Sequence, residues 1–316
     1  MPTFRHPRQI PSTLALLAVI GLLSPAGAGA KHGKVSGAGQ RVAANGSSLW
    51  YEVRGSAPGI PLLVVNGGPG LDHTYMLCSE IWDAIAVRRQ VVLYDQRGTG
   101  HSGPLKPGGS CTVADQVADL EALRVKLGAA RIDLLGHSWG GYLAMAYAIR
   151  YPEHVQHLVL CDSAAPKWED TDFLFKYLFP EKVDRQDQLI AQETAGKTEA
   201  TKELLRGYLG MMFASKEKRD DFMEAFDTYD YSHGANDAIS GDLARLDMWP
   251  AVKKLKLPAL VITGRFDANV APSTAWKIHK AIAGSQWVIF EKSGHMPFCE
   301  ESEEFGRVLE GFLQSK

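Results

Sequence analysis

Three side chains of different type could together carry out acyl transfer. Ser138 stands in Gly136-His137-Ser138-Trp139-Gly140-Gly141, Asp267 ends Gly264-Arg265-Phe266-Asp267, and His295 lies in Ser293-Gly294-His295-Met296. A serine hydroxyl is a weak nucleophile at neutral pH, so it needs a base to take its proton and a third group to orient that base. The pattern G-x-S-x-G becomes specific through its surroundings: an apolar run at 132–135 precedes it and an apolar helical run at 142–149 follows. A strand-to-helix turn that sharp admits only glycine beside the serine and lifts its Oγ above the sheet edge. Without those flanks the motif reads equally well as a glycine-rich packing turn. Asp267 and His295 each follow an apolar run, at 259–263 and 287–291, and complete the order serine, acid, histidine. Taken singly, Asp267 is a helix N-cap and His295 a loop residue; their joint placement at two strand ends points to the crevice where open α/β sheets bind ligands.

Acyl transfer also needs donors for the oxyanion of its tetrahedral intermediate. The backbone N–H of Trp139, directly after the serine, is one, and a second is expected from the loop Gly67-Gly68-Pro69-Gly70. Gly68 is favoured and Gly67 is the alternative, against a tight turn with no donor function. Among the other histidines, His137 is expected to pack on the far side of the turn and His101 to serve its glycine-rich turn. His154, His157 and His279 read as surface residues. No H-x-x-x-H or H-E-x-x-H pattern is present, so the sequence calls for no metal and no cofactor.

These groups need a scaffold that brings strand ends together. Residues 40–55 read as a hairpin about Asn45-Gly46, with Leu49, Tyr51 and Val53 at a period of two. Runs at 60–65, 90–94, 132–135, 155–161, 259–263 and 287–291 are continuously apolar, as suits strands buried on both faces. Helical spacing at 112–127, 139–151 and 272–283 falls between them. The fold class expected is α/β, a mostly parallel sheet with helices on both faces. The alternation stops across 164–249, which reads as a helical cap between core segments 31–163 and 250–316. Over residues 167–247 there are 11 Lys/Arg against 18 Asp/Glu, so this insert is acidic.

Of the 316 residues, 45% are hydrophobic and 22% charged, which excludes general disorder. A formal net charge of −2 provides no field for a phosphate backbone, and no nucleic acid partner is expected. Arg5 and Arg8, the apolar run 14–23 and the small residues ending at Ala30 have the order of a secretory signal peptide over 1–30. The run is shorter than the roughly 20 residues needed to span a bilayer, so an exported chain without stable membrane insertion is expected. In an oxidising compartment Cys78 and Cys111 could pair; four buried or free thiols are the equal alternative.

Five motifs in order, G-G-P-G at 67–70, D-Q-R-G-T-G-H-S at 95–102, G-H-S-W-G-G at 136–141, G-R-F-D at 264–267 and S-G-H-M-P-F at 293–298, resemble the α/β-hydrolase fold. Specifically, the chain resembles the proline iminopeptidase group of serine peptidases over residues 40–163 and 250–315. The resemblance implies release of an N-terminal residue, preferentially proline, from short peptides, with Ser138, Asp267 and His295 as the triad. Two departures stand out. The group carries histidine before G-G-P-G where this chain has Asn66, and the cap motifs that pair an aromatic residue with a glutamate to hold the substrate amine are absent. Glu193, Glu199 and Asp230 are the candidates for that amine, while Phe226, Tyr229 and Tyr231 face a proline ring or pack under the cap. A carboxylesterase or lactonase of the same fold is the rival reading, followed by a non-catalytic ligand-binding member. Epoxide hydrolysis and dehalogenation need aspartate at position 138 and are disfavoured.

Overall fold

The computed structural model describes residues 39–194, 199–224 and 231–314. Its apolar runs form one eight-stranded sheet in the order β1-β2-β4-β3-β5-β6-β7-β8. The strands are β1 (Gln40–Ala44), β2 (Ser47–Arg54), β3 (Leu62–Val65), β4 (Val91–Tyr94), β5 (Ile132–His137), β6 (Val155–Cys161), β7 (Ala259–Gly264) and β8 (Gln286–Phe290). β1 and β2 are antiparallel about Asn45-Gly46, β2 is antiparallel to β4, and the remaining neighbours are parallel. β2 departs from simple alternation: Trp50 and Glu52 are buried along with Leu49 and Tyr51. The Trp50 ring stacks with those of His73 and His101, with centroids 4.9 and 4.7 Å away.

Two-sided burial explains the uninterrupted apolar strands. Leu63, Val65, Leu134 and Leu160 face a core shared with α2 (Val113–Lys126), α3 (Trp139–Arg150) and α10 (Pro272–Ala281). Leu62, Val64, Leu135 and Val159 face the other way, onto α1 (Ile81–Ala86), α11 (Pro297–Glu300) and α12 (Ser302–Leu313). Between β6 and β7 lie α4 (Phe175–Leu178), α5 (Pro180–Thr194), α6 (Glu199–Gly210), α7 (Lys216–Glu224), α8 (His233–Leu243) and α9 (Trp249–Val252). The chain proceeds from β3 toward one edge and from β5 toward the other. The order therefore reverses between β3 and β5, and the crevice at their carboxyl ends is where such sheets place ligands.

Two expectations are corrected by this packing. His157 is buried, because β6 turns it toward Asp133 on the neighbouring strand (Nδ1 to Oδ1 2.8 Å) and the edge of Phe312. Cys78 bonds with Cys299 rather than Cys111, because the fold brings α11 beside the turn that ends at Leu77, leaving a Cα–Cα distance of 5.6 Å. Cys111 is a free thiol whose pKa burial pushes up to about 11. Among the described residues no helix is long and apolar enough to cross a membrane. The leader at 1–30 lies outside the described residues.

Candidate active site

Ser138 is the junction of β5 and α3, with φ 57° and ψ −121°. A non-glycine residue enters that region only when its surroundings hold it there. Its N–H donates to Cys161 O (3.0 Å), and its carbonyl accepts from Gly141 N (3.0 Å) and Ala164 N (3.2 Å). Closeness of approach explains the glycine two residues on: a Cβ on Gly140 would lie 2.2 Å from the Val65 carbonyl. The first N–H groups of α3 have no partner within the helix, so the N–H of Trp139 points its partial positive charge beside Ser138.

Asp267 and His295 meet from the loops after β7 and β8. Asp267 Oδ1 accepts from the backbone N–H groups of Asn269 (2.8 Å) and Val270 (2.9 Å). Its Oδ2 accepts from His295 Nδ1 at 2.7 Å. With the ring proton on Nδ1, Nε2 is an acceptor, and it receives the Asn269 Nδ2 amide at 3.1 Å. Tyr208, on α6, donates in turn to Asn269 Oδ1 at 3.0 Å.

A second line of hydrogen bonds crosses beneath the serine. Gly67 N–H donates to Tyr75 Oη (2.5 Å), Tyr75 O–H donates to His137 Nδ1 (2.6 Å), and His137 Nε2–H donates to the His295 carbonyl (2.8 Å). Burial and the nearby His295 hold His137 well below the usual imidazole range, so it is neutral, as this line requires. His137 therefore does more than pack: it ties the loop after β3 to the loop carrying His295. The Gly67 N–H is thus committed to Tyr75, while the Gly68 N–H takes no part in this line of contacts. Gly68 has φ 128°, and a Cβ there would lie 2.8 Å from Gly70 N. Asn66, where the resemblance leads one to expect histidine, holds this loop by donating to Leu71 O (2.8 Å). Gln96 bridges Asn66 O (2.7 Å) and Trp139 Nε1 (2.9 Å).

Asp162, at the end of β6, was not singled out by sequence reasoning. Its place one residue past an apolar strand was the available signal. It is fully buried with φ 46°, and its Oδ1 accepts from Gly264 N at 2.8 Å. Burial and the facing Asp267 carboxyl push its pKa well above the carboxylate range, which favours the neutral acid beside Asp267. Ligand atoms of Asp162, Asp267 and His295 lie within 4.8 Å of one another, the one such cluster among the described residues. All three are engaged with each other and with backbone N–H groups, which fits a proton-holding cluster better than a cation site.

The side chains of Glu193 and Glu199 and the whole of Asp230, Phe226 and Tyr229 lie outside the described residues. Tyr231 forms a bridge with Leu71 and stands edge-on to His233. Ser232 N–H donates to Gly70 O (2.7 Å), and Met212 O accepts from His295 N (2.7 Å). The segment between β6 and β7 thus braces both the loop after β3 and the loop carrying His295.

Residues 60–302 match the family described as the alpha/beta hydrolase fold. The chain belongs to that family. A proline iminopeptidase from Clostridium botulinum is 32% identical over 280 residues, spanning 84% of this chain and 94% of that protein. One from Saccharolobus solfataricus is 30% identical over 275 residues, spanning 83% and 87%. Among solved structures, an esterase from Exiguobacterium antarcticum superimposes with a TM-score of 0.68 at 24% identity, over 88% of this chain and all of that one. An enol-lactonase from Burkholderia xenovorans gives 0.69 at 22% identity, over 87% of this chain and all of that one. At such identities these two structures speak for the fold alone.

Proposed function

We propose that this chain is an exported serine hydrolase, an aminopeptidase that releases N-terminal proline or another small residue from short peptides through an acyl-enzyme. The observation that carries the reading is the 2.7 Å contact between His295 Nδ1 and Asp267 Oδ2, which leaves Nε2 as an acceptor, in a ring whose centroid lies 4.6 Å from that of His137, the residue before Ser138. The likeness to proline iminopeptidases over more than four fifths of the chain supports the choice of substrate class. In this reading the proton on Ser138 Oγ passes to His295 Nε2 as Oγ bonds to the scissile carbonyl carbon. The carbonyl π pair moves to oxygen, where the N–H groups of Trp139 and Gly68 receive it. His295 returns the proton to the leaving amine, and water repeats the sequence to free the acid. Asp267 supports the imidazolium through its contact with Nδ1.

The acidic segment at 164–249 serves as the cap, and its negative charge favours a cationic amine at the mouth of the site. Glu193, Glu199 and Asp230 are the proposed partners of that amine. The leader at 1–30 is removed on export, a step that N-terminal sequencing of the mature protein checks.

Aminoacyl naphthylamides of proline and alanine, assayed beside nitrophenyl esters, test the activity. Release of naphthylamine is expected. Turnover of esters alone would transfer the reading to a carboxylesterase or lactonase.

A further inference from the structure

The base of the proposed triad has a neighbour that the acyl-transfer steps do not use. Asn269 is buried and touches both partners of the acid–base pair, its backbone N–H on Asp267 Oδ1 and its Nδ2 on His295 Nε2. Because Tyr208 donates to Asn269 Oδ1, a single line of contacts runs from α6 through Asn269, His295 and Asp267 toward Asp162. Their directions are dictated by chemistry. Asp267 can only accept, so Nδ1 carries the ring proton. Nε2 of the neutral ring can then only accept, so the amide must present its NH2 there and offer its oxygen to the phenol. Once Nε2 is protonated the same arrangement sets N–H against N–H. The amide must then turn over, giving Oδ1 to Nε2–H and its NH2 to the phenol oxygen, which accepts as readily as it donates.

We propose, on the reading that His295 is the base, that Asn269 is a positioning residue: it holds the unoccupied imidazole neutral and in line, and Tyr208 makes its setting depend on the cap. Asn269 neither gains nor loses a proton. The proton that leaves Ser138 Oγ lands on Nε2 and departs with the leaving group, and the amide yields its place to the serine hydroxyl when substrate binds. The other groups facing the ring are Asp267 from the loop after β7, Asp162 from β6 and the neutral His137 of β5, 4.6 Å away between centroids. Of these contacts, the Asn269 amide is the one that supplies a donor to Nε2.

The acid limb of kcat/KM reports the base in the free enzyme, so the full chain is assayed with nitrophenyl acetate from roughly pH 5 to 9. Asn269→Leu removes the donor and is expected to move that limb up by about one pH unit. Asn269→Asp sets a carboxylate against Nε2, favours the imidazolium and moves the limb further in the same direction. Tyr208→Phe moves it by a smaller amount, and the double variant that combines Tyr208→Phe with Asn269→Leu moves it no further than Asn269→Leu does alone. Unchanged limbs in Asn269→Leu and Tyr208→Phe overturn the proposal, as do shifts that add in the double variant. Should thermal unfolding show that Asn269→Leu does not fold, the near-isosteric Asn269→Asp and Tyr208→Phe decide. Ser138→Ala is the separate control: full turnover there would bring down the triad reading itself, whatever the Asn269 variants do.

Discussion

Ser138 occupies a backbone region that costs a non-glycine residue about 1–3 kcal/mol, and it is held there by β6 and by the close packing of Gly140 on β3. Replacing it by alanine keeps the turn and removes only the proposed nucleophile. Turnover is expected to fall on the order of 10⁶-fold with no loss of thermal stability, measured on the ester and the naphthylamide alike. Asp162 offers a sharper test, because a proton-bearing carboxyl and a carboxamide present the same donor. Asp162→Asn, whose NH2 can point at Asp267, is expected to stay within a few-fold of wild type. Asp162→Ala leaves Asp267 and the Gly264 N–H without that partner, at roughly 1–3 kcal/mol in unfolding free energy and with a clear drop in kcat. An asparagine variant as impaired as the alanine one would show that Asp162 works as an anion. The sequence marks Ser138, Asp267 and His295 because each follows an apolar strand. Asp162 follows one too, yet nothing local distinguishes a buried carboxylic acid from a turn-forming aspartate, since its protonation depends on a partner 105 residues away in sequence.

The short helix α11 holds the loop that carries His295. Glu300 accepts from Ala214 N and Ser215 N on Oε1 and from Gly294 N on Oε2, and Glu301 accepts from Lys292 N and Ser293 Oγ. Burial outweighs these donors and pushes Glu300 up to about 7. Its folded value lies above its unfolded value, so its contribution to stability is complete below the ordinary glutamate range and is lost as pH rises through about 7. Glu300→Gln cannot titrate. The stability gap between wild type and this variant should shrink by about 3 kcal/mol between roughly pH 4 and pH 8, followed by chemical denaturation. A gap independent of pH would refute the assignment. The hairpin, the parallel strands, α2, α3 and α10 could be anticipated because two-sided burial and helical spacing mark them within a dozen residues. α1 and α11, at six and four residues, are too short to display a period. His157 looks polar on a strand and becomes interior only because Asp133 is set beside it by strand pairing.

Across the whole molecule, the Cys78–Cys299 bond closes a loop with a sequence separation of 221 and joins the turn after the Gly67–Gly70 loop to α11, just beyond His295. It clamps together the two loops that the His137 line also connects. Breaking it is expected to lower stability by about 3 kcal/mol, chiefly by freeing the unfolded chain. Cys78→Ser should therefore melt earlier and lose the mass change on reduction, whereas Cys111→Ser should retain that change. Retention of the mass change by Cys78→Ser would contradict this pairing. From residue order alone came the α/β class, the hairpin, the elbow at Ser138 and the three strand ends that carry Ser138, Asp267 and His295. Periodicity, glycine geometry and strand-end position act over a few residues and leave a local mark. Tertiary structure alone decided the disulfide partner, the commitment of the Gly67 N–H to Tyr75, the raised pKa of Asp162 and the Tyr208–Asn269 contact on His295. Each of those depends on which strands are neighbours and where the segment between β6 and β7 comes to rest, and contacts between distant residues leave no spacing in the chain to read.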